Sequence, residues 1–436
     1  MKTLFKNTCI LVRKSKGYET IRNGYLAVDG AFISYVGSTR PDGEFDEEKD
    51  MSGKLLMPGL VNTHCHTSMV LLRGVGSNLN LQDWLFNSIF PVEAKLRDED
   101  IIIGSELAFM ELIASGTTSV TDMYFKPYLT CEIAENCGIK LNVNDAVTCI
   151  GDFNDKNLAM VERAVSFQNK WNNRAEGRIR TDVAVHSEYL NSEEALKTYF
   201  TMSKGSGLGF HLHLSETVSE HRECVARHGM TPAAYFESLG YLDEFPTYCA
   251  HCVHVTDGDL EIMKKHGVTI AHNPSSNMKL GSGFAPIRKA LEMGISVALG
   301  TDGAASNNNL NMFEELHLAS LIHKGNTMDP TTLNTDQLID MATVAGAKAQ
   351  GRTDTGVLES GKRADIIALD LDQPHLMPAY DIPALVCYAA QGSDVCMTMI
   401  DGKIVYENGV FKTMDRERIM KDAKSCAKYL LNMQED

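Results

Sequence analysis

Two histidines separated by one residue give the sharpest chemical signal in the chain: His64 and His66 within Pro58-Gly59-Leu60-Val61-Asn62-Thr63-His64-Cys65-His66. Residues two apart on an extended strand share a face, so both imidazoles would enter one space while Cys65 turns outward. Two converging imidazoles hold a borderline divalent metal. An HxH pair alone is more often two unrelated histidines near a strand end. Here it is joined by Leu212-His213-Leu214-Ser215-Glu216 and by Val297-Ala298-Leu299-Gly300-Thr301-Asp302-Gly303. His213 and Asp302 would complete three imidazoles and one carboxylate around a single divalent ion, zinc or iron. Hydrolytic sites of this kind keep a place for water, whose pKa falls to about 7. Glu216, three residues past His213, could carry protons without binding the metal; taken alone it is equally a helix-start carboxylate favoured by the dipole.

These residues need a scaffold that brings distant segments together. Apolar, β-rich runs end near His64, Asp122, Asp145, His186, His213, His251, His272 and Asp302, with helical stretches such as Asp98 to Ser115 and Pro286 to Met293 between them. About eight βα repeats predict an α/β fold, a TIM-like (β/α)₈ barrel whose active-site rim lies at the C-terminal strand ends. Polar residues at so many strand ends are hard to explain by packing. Both chain termini have another texture. Segments around Thr20 to Val28 and Ala31 to Val36 flank Asp29-Gly30, and Cys396 to Ile400 and Lys403 to Tyr406 flank Asp401-Gly402, both hairpin signals. The expected organisation is a small β-sandwich from residues 1–56 and 357–436 around a barrel of residues 57–356. A helix from about Asp415 to Leu431 closes the chain.

The 436 residues are 44% hydrophobic and carry a formal charge of −16. That balance disfavours nucleic acid and anionic membranes as partners, since both reward clustered Lys and Arg. The eleven cysteines are odd in number and scattered, which fits thiols kept reduced better than a disulfide framework. The first residues have no continuous apolar stretch, and no run approaches the roughly 20 apolar residues of a membrane span. The expectation is a soluble cytoplasmic protein acting on a small molecule, with homo-oligomerisation open.

The segments PGLVNTHCH, HLSE, AHCVH and TDGAASNN resemble the signatures of the amidohydrolase superfamily. More closely they resemble its deaminases of S-adenosylhomocysteine and 5′-methylthioadenosine and the related triazine hydrolases. The likeness extends through TSMVLLRG, the DWL around Trp84, PVEAKL and HNPSSNMKLGSG. It implies His64, His66, His213 and Asp302 as metal ligands. It also implies that Asp302 takes a proton from the attacking water, that Glu216 passes one to the ring nitrogen, and that His251 orients or polarises the water. Glu93 would bind ribose hydroxyls, His186 would contact the substrate, and Ser306 is a further candidate at the substrate. The implied activity is hydrolytic deamination of an adenosine-type nucleoside with release of ammonia. The alternatives are deamination or dechlorination of another heterocycle (guanine, pterin, triazine), or a barrel that serves only as a scaffold.

Two departures matter. Family arginines that grip the sugar or amino-acid tail after the third strand have no counterpart in Asn142 to Asp152, where Asp145 stands instead. A carboxylate cannot replace a guanidinium fork, so the charged tail of S-adenosylhomocysteine is disfavoured. Two-metal relatives bridge their ions with a lysine on the fourth strand. The corresponding segment, Thr181 to His186, has none, so one ion is expected. His272 is expected either to line the pocket or to cap a turn. His211, one pleat below His213, is expected to be structural.

Overall fold

The computed structural model describes residues 1–79 and 81–431. Eight parallel strands succeed one another in chain order: β1 (Leu60–Cys65), β2 (Thr117–Met123), β3 (Lys140–Asn144), β4 (Ile179–Ala184), β5 (Gly209–Leu214), β6 (Thr247–His251), β7 (Thr269–His272) and β8 (Ser296–Leu299). β8 returns to β1, where the Thr63 hydroxyl donates to the Leu299 carbonyl at 2.7 Å and the Asp302 amide to the His64 carbonyl at 2.9 Å. This is the expected (β/α)₈ architecture. β4 stops its regular pairing at Ala184, two residues short of the expected end, and Val185 continues as an isolated bridge to Val147.

Alternation along each strand sorts the side chains. On β5, Phe210, Leu212 and Leu214 join the apolar layer beneath the helices, while His211 and His213 take the inner face. On β1, Cys65 packs among Val70, Ala108 and Phe109, so the residues on either side of it, His64 and His66, turn inward. Below them the barrel interior is polar: Asp182 accepts from Tyr248 and Asn142, and Gln350 donates to the Asn62 carbonyl and to Thr121. Each buried donor answered by an acceptor removes a desolvation cost that would otherwise oppose closure.

Segments from both ends of the chain form, among the described residues, one nine-stranded mixed sheet. The segment Lys54–Pro58 runs parallel to Lys2–Arg13 and antiparallel to Ile366–Asp370, so it sits between the first and last parts of the chain. Both hairpins expected from Asp-Gly are present, at Tyr18–Asp29/Phe32–Gly37 and Val395–Ile400/Lys403–Glu407. Lys140, at the start of β3, is buried with its ammonium on Asp365 and, at 2.7 Å, on Asp401, which ties the barrel to this sheet. The helix Arg416–Leu431 packs on the helix Asp98–Ala114, with Arg418 reaching Glu106 at 2.6 Å. No helix among the described residues is long and apolar enough to cross a membrane.

Candidate active site

The C-terminal ends of β1, β5, β6 and β8 bring His64, His66, His213, His251 and Asp302 to one point. His66 Nε2 and His213 Nε2 lie 3.3 Å apart, and Asp302 Oδ1 lies 3.2 Å from His66 Nε2 and 3.4 Å from His64 Nε2. The strand ends reach this geometry through left-handed backbone at Ser215 (φ 49°), His251 (φ 69°) and Asp302 (φ 60°). Such conformations cost non-glycine residues of order 1–3 kcal/mol. They are held by hydrogen bonds from the next element: the Cys252 amide to the Leu214 carbonyl at 3.0 Å and the His254 amide to the Ser215 carbonyl at 2.9 Å.

Hydrogen bonds on the far side of each ring decide which nitrogen faces inward. His66 Nδ1 meets the Met123 carbonyl, and His213 Nδ1 meets the His186 carbonyl at 2.7 Å. A carbonyl only accepts, so both Nδ1 atoms carry the proton and both Nε2 atoms point inward. His64 Nδ1 lies 2.9 Å from His211 Nε2, and its buried Nε2 has no hydrogen-bond partner. Burial works against an imidazolium at His66, but Asp302 outweighs it and raises that group to about 9. Among the described residues two groups could hold a metal ion: His64, His66 and His213, and His64, His251 and Asp302. An orphaned ring nitrogen, two Nε2 atoms facing each other and an acceptor-only carboxylate fit a divalent cation.

Asp302 is held on both oxygens. Oδ1 accepts the Gly303 amide at 2.8 Å, and Oδ2 accepts the hydroxyls of Ser276 at 2.6 Å and Ser306 at 2.8 Å. Glu216 Oε2 lies 3.8 Å from His251 Nε2, and Glu216 Oε1 receives the Ser282 hydroxyl at 3.4 Å. Burial raises the Glu216 carboxyl above its ordinary range, with Asp302 adding to the effect while His251 opposes it. Burial alone would lower His251; Glu216 and Asp302 reverse the sign and raise it. His251 Nδ1 is fixed by Asn277 Oδ1 at 2.8 Å.

A cavity of about 940 Å³ opens from this cluster. His66, His186, His213, Glu216, His251, Asp302 and Ser306 line its floor. Glu93 lies on its wall with the Tyr124 hydroxyl donating to Oε1 at 2.7 Å. His186 stands with its ring centroid 4.4 Å from that of His213. The outer wall is apolar, formed by Trp84, Phe86, Phe90, Phe125, Tyr128 and Ile150 among others. Its lip, Leu81 to Glu93, contains a π-helical turn at Leu85–Ile89, a form frequent at functional sites.

All nine candidate site residues therefore gather at or around one cavity, but several neighbours were not foreseen. Arg163, on the helix Asp155–Trp171, grips Asp145 with Nε at 2.7 Å and Nη2 at 3.1 Å, so the carboxylate at the cavity wall is neutralised. Nothing marks Arg163 in the sequence, since an arginine on an amphipathic helix is usually only solvated. Glu220 receives the amides of Ser215 and Glu216 at 2.8 and 2.7 Å and so clamps the turn that carries Glu216. Ser276 and Asn277 come from the HNPSSN segment. His272 does not line the cavity; it faces His323 at 3.0 Å.

The profile of the amidohydrolase family matches residues 55–405, and the chain belongs to that family. It is similar, at 42% identity over 99% of this chain and 100% of the relative, to a 5-methylthioadenosine/S-adenosylhomocysteine deaminase of Acetivibrio thermocellus. It is 39% identical, over 98% of each chain, to a 5′-deoxyadenosine deaminase of Methanosarcina acetivorans. Among solved structures it superposes with a TM-score of 0.91 on an adenosine deaminase from Xanthomonas campestris with bound zinc, at 28% identity and covering 99% of both chains.

Proposed function

We propose that this member of the amidohydrolase family is a one-metal deaminase of adenosine-type nucleosides, replacing the ring amine by oxygen and releasing ammonia. The observation that carries the reading is the meeting of three inward Nε2 atoms and the Asp302 carboxylate at the floor of a cavity that also holds Glu216 and His251. His64, His66, His213 and Asp302 hold the ion, zinc by preference given the zinc-bound relative, with iron second. The ion supplies Lewis acidity, lowering the pKa of water to about 7. Asp302 accepts the proton of the attacking water, its Oδ2 anchored by two serine hydroxyls. His251, fixed by Asn277, orients that water toward the ring carbon bearing the amine. Glu216, whose carboxyl burial pushes upward, passes a proton to the adjacent ring nitrogen as a general acid. Asp302 then passes the proton it took to the exocyclic amine, the C–N bond breaks to release ammonia, and the remaining hydroxyl proton returns to Glu216 as the carbonyl forms.

The cavity volume lies at the upper end of the roughly 300–1,000 Å³ usual for small-molecule sites, which supports a nucleoside over a bare base. In this reading Glu93 binds the ribose hydroxyls and His186 contacts the substrate. The guanidinium of Arg163 already spends its bidentate edge on Asp145, the other lining cation, Lys126, is paired with Asp98, and most of the remaining outer wall is apolar, so an uncharged 5′ group fits better than a carboxylate tail. The deciding experiment follows ammonia release from 5′-methylthioadenosine, 5′-deoxyadenosine, adenosine, S-adenosylhomocysteine and guanine by the zinc-loaded protein. The expected order puts the first two ahead. Activity on guanine alone would transfer the reading to another ring, and silence across the panel with metal bound would overturn it.

A further inference from the structure

Two of the three inward histidines have their outer nitrogen on a peptide carbonyl, which fixes the tautomer outright. The third does not. His64 Nδ1 rests on another imidazole, His211 Nε2, at 2.9 Å, and an imidazole nitrogen can donate or accept. What removes the ambiguity lies one bond further out. His211 Nδ1 is 2.9 Å from the Tyr248 carbonyl, so the proton of His211 sits on Nδ1 and its Nε2 presents a lone pair. His64 must then donate from Nδ1, and its own lone pair is left on Nε2, facing Asp302. The relay is sealed: His64, His211 and Tyr248 are all buried. The His211 ring stacks on Tyr248, centroids 4.3 Å apart and planes 23° apart, while the Tyr248 hydroxyl is anchored on Asp182 Oδ2 at 2.7 Å.

We infer that His211 is a positioning residue that sets the tautomer of His64 through the Tyr248 carbonyl, and so prepares the one metal ligand that no peptide group orients. The inference rests on reading the cluster as a metal site. His211→Phe keeps the ring on Tyr248 but removes the acceptor. His211→Gln returns an acceptor oxygen near the Nε2 position. Zinc and cobalt(II) affinities of the metal-stripped proteins, measured by chelator competition, read the effect without any assay of turnover. H211F should bind about 10–100-fold more weakly than the wild type, as loss of an outer hydrogen-bond partner of a ligand histidine typically does, and H211Q should recover much of the loss. Equal affinities in wild type and H211F, or no gain of Gln over Phe, would overturn the relay. A wild-type chain that binds neither metal would instead overturn the metal reading itself. Should H211F not fold, nitrogen-15 NMR of the histidine-labelled wild type decides: Nδ1–H on both His211 and His64 is expected, and a proton on Nε2 of neutral His64 refutes the relay.

Discussion

The His186 carbonyl accepts the Nδ1 proton of His213 at 2.7 Å while the His186 ring lies 4.4 Å from the ring of that same residue, so one residue serves the site through two separable groups. Its backbone orients an inward histidine, and its side chain lines the cavity. His186→Ala should therefore leave metal content at the wild-type level, because the carbonyl remains. Losing one substrate contact should lower kcat/KM by about 10–100-fold, corresponding to about 1–3 kcal/mol. Parallel elemental analysis and kinetics check this; metal loss in the variant would contradict the division of roles.

His66→Asn and Asp302→Asn should behave differently from that variant. Each removes a group from the 3.2 Å contact between His66 Nε2 and Asp302 Oδ1, so metal should be lost along with activity. Stripping the wild type with a chelator should lower its Tm, and re-addition of zinc should restore it by mass action. A Tm indifferent to zinc would count against the site.

Glu216→Gln keeps the size and the Ser282 contact but cannot donate an acidic proton. With the metal still bound, kcat should fall about 10²–10⁴-fold, the usual worth of general acid–base catalysis. Glu220→Gln is the companion experiment: it weakens the clamp on the Ser215 and Glu216 amides and should cost activity by misplacing Glu216. The pair would fail together if turnover survived in E216Q.

Glu315 supplies a pH test away from the ligands. Buried, and accepting the Ser275 amide at 3.1 Å and the Asn307 side-chain amide at 2.6 Å, its carboxyl is pushed by burial to about 8. An unfolded glutamate titrates near about 4.3. Between these values the unfolded chain has released a proton that the folded chain keeps, so stability contributed by this group is full below the lower value and is lost as pH rises through about 8. Glu315→Gln removes that dependence. Whatever its absolute Tm, the variant should gain relative to wild type as pH goes from 5 to 8, and parallel profiles would refute the assignment.

Lys140→Ala tests the joint between barrel and terminal sheet. It leaves Asp365 and Asp401 without their shared cation in a nearly dry interface, and removing one partner of a buried pair costs about 3–5 kcal/mol. A marked drop in Tm is expected, with metal stoichiometry of the folded fraction unchanged.

Much of this arrangement was legible in the sequence because its signals are local and repeated. Strands ending in His or Asp announced the rim, and the two-residue spacing of His64 and His66 announced a shared face. The Asp-Gly hairpins marked the terminal sheet within a residue or two. What stayed hidden depends on contacts between segments far apart in the chain. The holds of Ser276 on Asp302 and of Asn277 on His251 join different βα units, while that of Arg163 on Asp145 closes a loop and helix within one unit, and no periodicity reports such pairings. His211 was rightly expected to lie below the rim, yet its hydrogen bond to His64 could not be read from one strand. His272 shows the converse: a strand-end histidine whose Nε2 meets His323 and whose ring leaves the cavity alone.

The strand Lys54–Pro58 leads directly into β1, yet Leu55 is paired with both Cys9 and Leu369. During synthesis the first of these neighbours is at hand and the second is still to be made. Until residues near 369 emerge, the ribbon feeding the barrel has one bare edge, an open template for strands of other chains. A nascent chain stalled before that point is thus a hazard for aggregation, and the strand Ile366–Asp370, made long after the edge it covers, removes it.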